Sequence, residues 1–291
     1  MGSVFRRLTG APSGRMRVLF LAALAMVAFA ANSLLCRHAL KYTEIDAASF
    51  SAIRLAAGAV LLWLVVWVRA PHSKQHGSWR SASALFVYVA GFSFAYIALP
   101  AATGALLLFG AVQVTMVTAG LISGERLNLQ KSLGFVAALA GLVVLLLPGI
   151  ASPSLAASLW MLASGIAWGL YSLAGRGGDN PVAESAGNFL RTLPMAAVLL
   201  LLALPWARFD VAGVLDAILS GALASGLGYV IWYAAVRDMA AVTAAAVQLS
   251  VPVIAAVGGI LFLSEPLTPM FMLASLLTLG GIAVIVWQRR P

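Results

Sequence analysis

Nearly unbroken apolar stretches, each close to twenty residues long, alternate along the chain with short polar connections. A helix needs about 20 apolar residues to cross the hydrocarbon of a bilayer. The pattern therefore predicts spans over 18–36, 46–68, 82–99, 102–121 and 129–147, then over 156–174, 183–205, 212–235, 241–262 and 267–287. A membrane β-barrel would alternate apolar and polar positions, and these runs do not. The expectation is an all-α polytopic membrane protein with ten transmembrane helices.

Composition agrees. Of the 291 residues, 62% are hydrophobic and only 9% charged, with mean hydropathy +1.00. Soluble domains carry about 25% charged residues, so this chain cannot coat a water-facing surface. The net charge of +9 suggests a polyanion partner until the basic residues are placed on the predicted spans. With both termini cytoplasmic, Arg6, Arg7, Arg15, Arg17, Arg69, Lys74, Arg80, Arg126, Lys131, Arg176, Arg237, Arg289 and Arg290 face the cytoplasm. Only Arg37, Lys41 and Arg208 face the other side, a bias that follows the positive-inside rule and needs no nucleic acid. The basic start followed by Ala28-Phe29-Ala30 imitates a secretory signal, but the same span recurs in mid-chain and is read as helix 1. Cys36 stands alone, and His38, His72 and His76 fall in the predicted connections, so neither a disulfide nor a metal or other cofactor is expected.

The chain repeats itself. Phe29-Ala30-Ala31 with Arg37 matches Trp168-Gly169-Leu170 with Arg176 at an offset of 139 residues, and Ala52-Ile53-Arg54 matches Phe189-Leu190-Arg191 at 137. Gly124-Glu125-Arg126-Leu127 matches Ser264-Glu265-Pro266-Leu267 at 140, as Gly141 matches Gly281. A unit of five crossings is odd, so its second copy must insert upside down. Inverted repeats are the architecture of secondary transporters, whose sites lie at the repeat interface near the midplane. The chain divides into a basic cytoplasmic N-terminus (1–17), two five-helix repeats (18–147 and 156–287) around a central cavity, and a cytoplasmic C-terminus (288–291).

Ionisable groups inside a membrane are costly and mark function. The nine acids all fall in loops or near span ends, so no carboxylate is expected near the bilayer centre for proton or sodium coupling. Arg54 and Arg191 lie inside spans. Each could meet a solute carboxylate through its guanidinium fork, but the favoured reading is structural, pairing with helix carbonyls or a loop acid while the stem snorkels. Glu125 and Glu265 are read as braces for helix ends.

Polar and aromatic residues within spans are the better site candidates. They are Asn32 on helix 1; Tyr88, Phe92 and Tyr96 on one face of helix 3; Gln113 on helix 4; Trp168 and Tyr171 on helix 6; Tyr229, Trp232 and Tyr233 on helix 8; and Gln248 on helix 9. Buried amides need partners or a cavity, and the rings fit an amphipathic solute pocket. Helices 5 and 10 carry almost no polar side chains and belong at the periphery. An intramembrane enzyme is disfavoured, because the predicted spans contain no His, and their one Lys, Lys131, lies at the cytoplasmic end of 129–147.

The duplicated five-helix unit, an Arg in the second helix of each half, and Gly-Glu-Arg-Leu or Ser-Glu-Pro-Leu before the last helix resemble EamA-type carriers of the drug/metabolite transporter superfamily. The resemblance spans both repeats and is closest to YddG-type exporters of aromatic and other neutral amino acids. It implies a basket-like bundle in the bacterial inner membrane, working by alternating access. The implied partners are a small-molecule solute and membrane lipids, with a monomer expected. Small multidrug members of the superfamily use a Glu in their first helix. Here that stretch offers Asn32, which argues against proton antiport through a carboxylate. The alternative is a drug or other metabolite exporter of the same superfamily.

Overall fold

The computed structural model describes residues 14–69, 77–122, 129–146, 153–175, 180–236, 247–248 and 250–286. All regular structure among them is helical. The helices are α1 (Gly14–Tyr42), α2 (Ala47–Arg69), α3 (Trp79–Tyr96), α4 (Ala101–Ile122), α5 (Leu129–Leu146), α6 (Leu155–Ala174) and α7 (Pro181–Ala203). Helix α8 runs Val211–Ile218, widens into a π-helical segment over Leu219–Leu227, and resumes as Gly228–Val236. Then come α9 (Ser250–Leu263) and α10 (Pro269–Val286). Six stretches are long and apolar enough to cross a membrane: those at α1, α2, α4, α6, α7 and α8. The apolar parts of α5, α9 and α10 are shorter among the described residues.

The ends of these helices are set by local hydrogen bonding. Asp46 caps α2 by accepting from the Ala48 and Ser49 amides, and Asn180 caps α7 by accepting from Ala183 N–H. Ser78 and Asp210 do the same for α3 and α8. Each cap satisfies a donor that the helix itself leaves orphaned. Helix α1 outruns its predicted end at residue 36 by six residues. Hydropathy registers Arg37 and His38 as the start of a loop, yet both are paired: Arg37 with Glu265 and His38 with Asp216. The helix therefore continues until Thr43 turns its hydroxyl back onto Ala39 O. His38 thus sits in a helix, correcting its placement in a connection. The predicted α9 began at 241, but 241–246 lie outside the described residues, as does Glu125.

Helices pack across the chain more than along it. Helix α2 lies against α7 and α8, α3 against α6 and α7, α4 against α6 and α9, and α1 against α8 and α9. Exchanging α1–α5 with α6–α10 leaves this set of pairs unchanged. Helices α5 and α10 pair with each other, with α4 linking them to the remaining bundle. Their crossing is tight because both repeat-matched glycines lie in it. A Cβ on Gly141 would stand 2.3 Å from the Thr278 hydroxyl, and one on Gly281 would stand 2.4 Å from Gly134 O. Small residues at such crossings let helix backbones touch, which drives association where lipid supplies no hydrophobic force.

Candidate functional site

Five helices, α1, α3, α4, α6 and α8, converge on an enclosed aromatic cluster lined by Phe29, Asn32, Ser33, Tyr88, Phe92, Leu108, Phe109, Trp168 and Tyr229. Trp168 is its hub, with ring centroids 4.9 Å from Tyr88, 5.2 Å from Tyr229 and 6.3 Å from Phe29. The edge-on and tilted geometries suit ring quadrupoles, each pair contributing about 0.5–1.5 kcal/mol beyond simple burial. The rings close on a void of about 10 Å³, roughly what one water molecule requires. A metabolite fits here only after the rings move apart.

Polar groups on and behind this wall are linked. Asn32 accepts from the Ser220 hydroxyl and donates 3.1 Å to Ser225 Oγ. Both serines belong to the π segment of α8, where the wider turn presents them together toward α1 and α2. Ser225 also accepts from Arg54 Nε at 3.4 Å and Nη2 at 3.3 Å, and Tyr88 O–H accepts from Nη2 at 2.9 Å. The guanidinium lies 4.8 Å from the centre of the Phe92 ring and 5.3 Å from that of Tyr88. Arg54 is fully buried. Its Nη1 has no hydrogen-bond partner among the described residues, and the Ser33 and Tyr229 hydroxyls on the void wall have none either.

Of the predicted site residues, Asn32, Tyr88, Phe92, Trp168 and Tyr229 line the void. The others do not. Tyr171 and Trp232 form the next layer, against Trp168 at 5.6 Å and Phe29 at 6.1 Å, and Tyr171 O–H bonds Ser185. Tyr96 packs on Phe92 and spends its hydroxyl on Ala101 O at 3.2 Å, which ties α3 to the start of α4. Gln113 is buried off the void with an unpartnered Nε2, while Tyr233 and Gln248 are half-buried and also off it. Phe29 was missed, although its repeat match to Trp168 at an offset of 139 pointed to it. Ser220 and Ser225 gave no sequence signal, since serine is common in apolar helices.

The two intramembrane arginines part ways. Arg191 is half-buried and donates from Nη1 to Gly187 O, one turn back on its own helix, at 2.9 Å, which is the structural role expected of it. Among the described residues Arg54 meets neither a helix carbonyl nor an acid, but the hydroxyls of Ser225 and Tyr88. Ion pairs among the described residues lie elsewhere, Arg37 with Glu265 and Arg208 with Glu44, and His38 Nδ1 sits 2.6 Å from the Asp216 carboxylate.

At one end of the bundle α1, the end of α3, the start of α4 and the α9–α10 connection are clamped together. Arg37 Nε donates to Glu265 Oε1 at 2.9 Å, and Nη1 reaches the carbonyls of Tyr96 and Ile97. Glu265 Oε2 accepts from Ala101 N–H, the first amide of α4, at 2.7 Å. Arg37 Nε and Nη1 and both Glu265 oxygens are hydrogen-bonded, which helps such a buried pair of charges to be tolerated. It also makes Glu265 a brace for a helix N-terminus. A pocket of about 300 Å³ lies beside the clamp, with its carboxylate already committed. A further concavity, about 730 Å³, is an open, mostly apolar groove between α5 and α10 with little to orient a solute. No cluster of three or more metal-ligating side chains occurs among the described residues.

Known proteins share this architecture. A crystal structure described only as that of a protein superposes with a TM-score of 0.67 at 19% identity, over 92% of this chain and 96% of its own. The chain is 58% identical to the uncharacterized protein PA1977 of Pseudomonas aeruginosa, over 94% of this chain and 96% of that protein. It is 25% identical to the uncharacterized transporter YoaV of Bacillus subtilis, over 80% of this chain and 85% of that one. The model of the EamA-like transporter family matches twice, over residues 16–147 and 155–287, and the chain belongs to that family of membrane transporters.

Proposed function

We propose that the protein exports small metabolites, above all aromatic and other neutral amino acids, across the bacterial inner membrane by alternating access. In this reading the chain crosses ten times as two inverted five-helix repeats, with both termini in the cytoplasm. The two family matches and a helix packing indifferent to exchange of the halves support the repeat. The skew of Arg and Lys supports the orientation.

One observation carries the choice of solute: the five-helix aromatic cluster with two idle hydroxyls on its wall. Rings supply a non-directional grip on apolar side chains, and a few placed polar groups orient the solute. Closed around 10 Å³, the cluster is an occluded state that opens to load. No carboxylate among the described residues lines it, so in this reading solute movement runs without an obligatory proton gradient.

Counterflow into proteoliposomes with labelled neutral amino acids at equal pH on both sides is the direct test. Exchange of phenylalanine, tyrosine or leucine is expected. Silence for every neutral amino acid would leave a drug or other metabolite exporter of the same superfamily.

A further inference from the structure

We infer that Arg54 anchors the carboxylate of the solute, so that the site selects small molecules with one carboxylate on an apolar or aromatic body. This rests on reading the aromatic void as the solute site, and it adds the charged partner that the void itself lacks.

Arg54 is fully buried, yet the hydrogen-bond and ring partners of its guanidinium among the described residues are neutral: the Ser225 and Tyr88 hydroxyls and the faces of Phe92 and Tyr88. No carboxylate lies within salt-bridge range among the described residues. An uncompensated cation in a dry interior is held at a cost, and such residues persist where they do a task. Nη1 is an unused donor on a planar fork whose geometry matches a carboxylate better than any neutral group.

Arg54 does not itself line the void. Tyr88 stands between, with its ring on the wall and its hydroxyl 2.9 Å from Nη2. That hydroxyl holds the position a carboxylate oxygen takes when the cluster expands. Swinging Tyr88 aside presents Nη1 and Nη2 as a pair, while Phe92 and Trp168 remain to grip the solute's body. Among the described residues the wall offers an ammonium group no carboxylate, only neutral hydroxyls, an amide and ring faces. Recognition therefore runs through the acid end, and the amine is dispensable.

Thermal stabilisation of the detergent-purified full-length protein by L-phenylalanine, 3-phenylpropionate and 2-phenylethylamine tests this. The acid is expected to half-saturate at a concentration on the order of 10- to 100-fold below the amine, the range for hydrogen bonds to a charged group. Equal potency, the reverse order, or no stabilisation by any of the three overturns the inference. Arg54→Gln should abolish the acid's advantage and Arg191→Gln should keep it. An advantage that survives in folded R54Q also overturns the inference, and if R54Q fails to fold, the ranking on the unsubstituted protein decides alone. Binding of 3-phenylpropionate without binding or exchange of phenylalanine would sink the amino-acid reading and leave the carboxylate anchor standing.

Discussion

Helices α2 and α7 occupy matching places in the two family-model segments and pack against each other, yet they treat their arginines differently. Arg54 is fully enclosed between α3 and α8, held by neutral groups and left with a spare donor. Arg191 folds back onto Gly187 O, which a snorkelling cation does when nothing needs it. The neighbours differ accordingly. Gly221 of the α8 π segment presses against the Arg54 backbone, whereas Ala84, 137 residues earlier on α3, carries a side chain packed against the core. Duplication thus supplied two similar frames, and only one encloses a cation. A repeat can be symmetric in its packing and lopsided in its chemistry.

The hardest blow to this asymmetry falls at Gly221. A Cβ there would lie 2.1 Å from Arg54 O, and backbone cannot step aside as a side-chain tip can. Gly221→Ala should cost about 3 kcal/mol or more, at the upper end for overpacking, and be seen as lost monodisperse protein or a large fall in thermal midpoint. Ala84→Gly should cost only about 0.5–1 kcal/mol, the entropy of a helical glycine. Gly280→Ala, with nothing within 4 Å of its Cβ, should raise stability slightly, by about 0.4–1 kcal/mol from the same entropy. If G221A and A84G weaken the protein equally, the two helix pairs are not packed differently.

The helices were legible in the sequence because lipid imposes one rule, that backbone groups be satisfied within the segment, and apolar length reports it directly. Their lack of polar side chains put helices 5 and 10 at the periphery, but that α5 and α10 pack on each other was visible only in the contacts. Half of the site was legible too: a spacing of four put Tyr88 and Phe92 on one face, and the repeat set Trp168 opposite helix 1. What hid was contact-dependent. A nine-residue π segment has no composition of its own, yet it decides that Ser220 and Ser225 reach Asn32 and Arg54. Arg54 and Arg191 look alike in sequence because burial and partners come from other helices. Tyr96 and Gln113 read as site residues because polarity in a span signals need, and the sequence does not say whether packing has met it.

A milder test uses the hydrogen bonds that differ between the two frames. Ser225→Ala removes the acceptor shared by Arg54 and Asn32, leaving buried donors stranded. The expected cost is about 1–3 kcal/mol. On the α7 side, Asn188→Ala removes the acceptor for Ser78 N–H, a part-buried bond of 2.9 Å. Water can replace it in part, so about 0.5–1.5 kcal/mol is expected. Denaturation midpoints in one detergent should keep that order, and the reverse order would place the more constrained network around α7.

The smallest effect separates the helices at their first residues. Asp46, which caps α2, titrates; Asn180, which caps α7, does not. Partial burial pushes the Asp46 carboxyl up, but hydrogen bonds from Ser49, from the Arg208 amide and from the Ala48 amide outweigh it, so the group stays below its ordinary value of 3.8. A carboxyl depressed in the folded state stabilises above its unfolded pKa, and that contribution fades as pH falls through the folded one. The thermal midpoint should therefore drop as the medium is acidified below about pH 4, by a share worth about 1 kcal/mol, typical of one cap. Asp46→Asn keeps a cap without the titration and should leave the midpoint at pH 7 nearly unchanged while flattening the acid limb. Asn180→Asp should steepen that limb by giving α7 the same titrating start. Both changes are needed, because Asp210, also held below its ordinary value despite its own desolvation by bonds from Gly213 N–H and Thr43, titrates in the same window at the head of α8. If D46N tracks the unsubstituted protein down to pH 3, the acid sensitivity belongs to α8, and the α2 cap contributes no more than its neutral counterpart on α7.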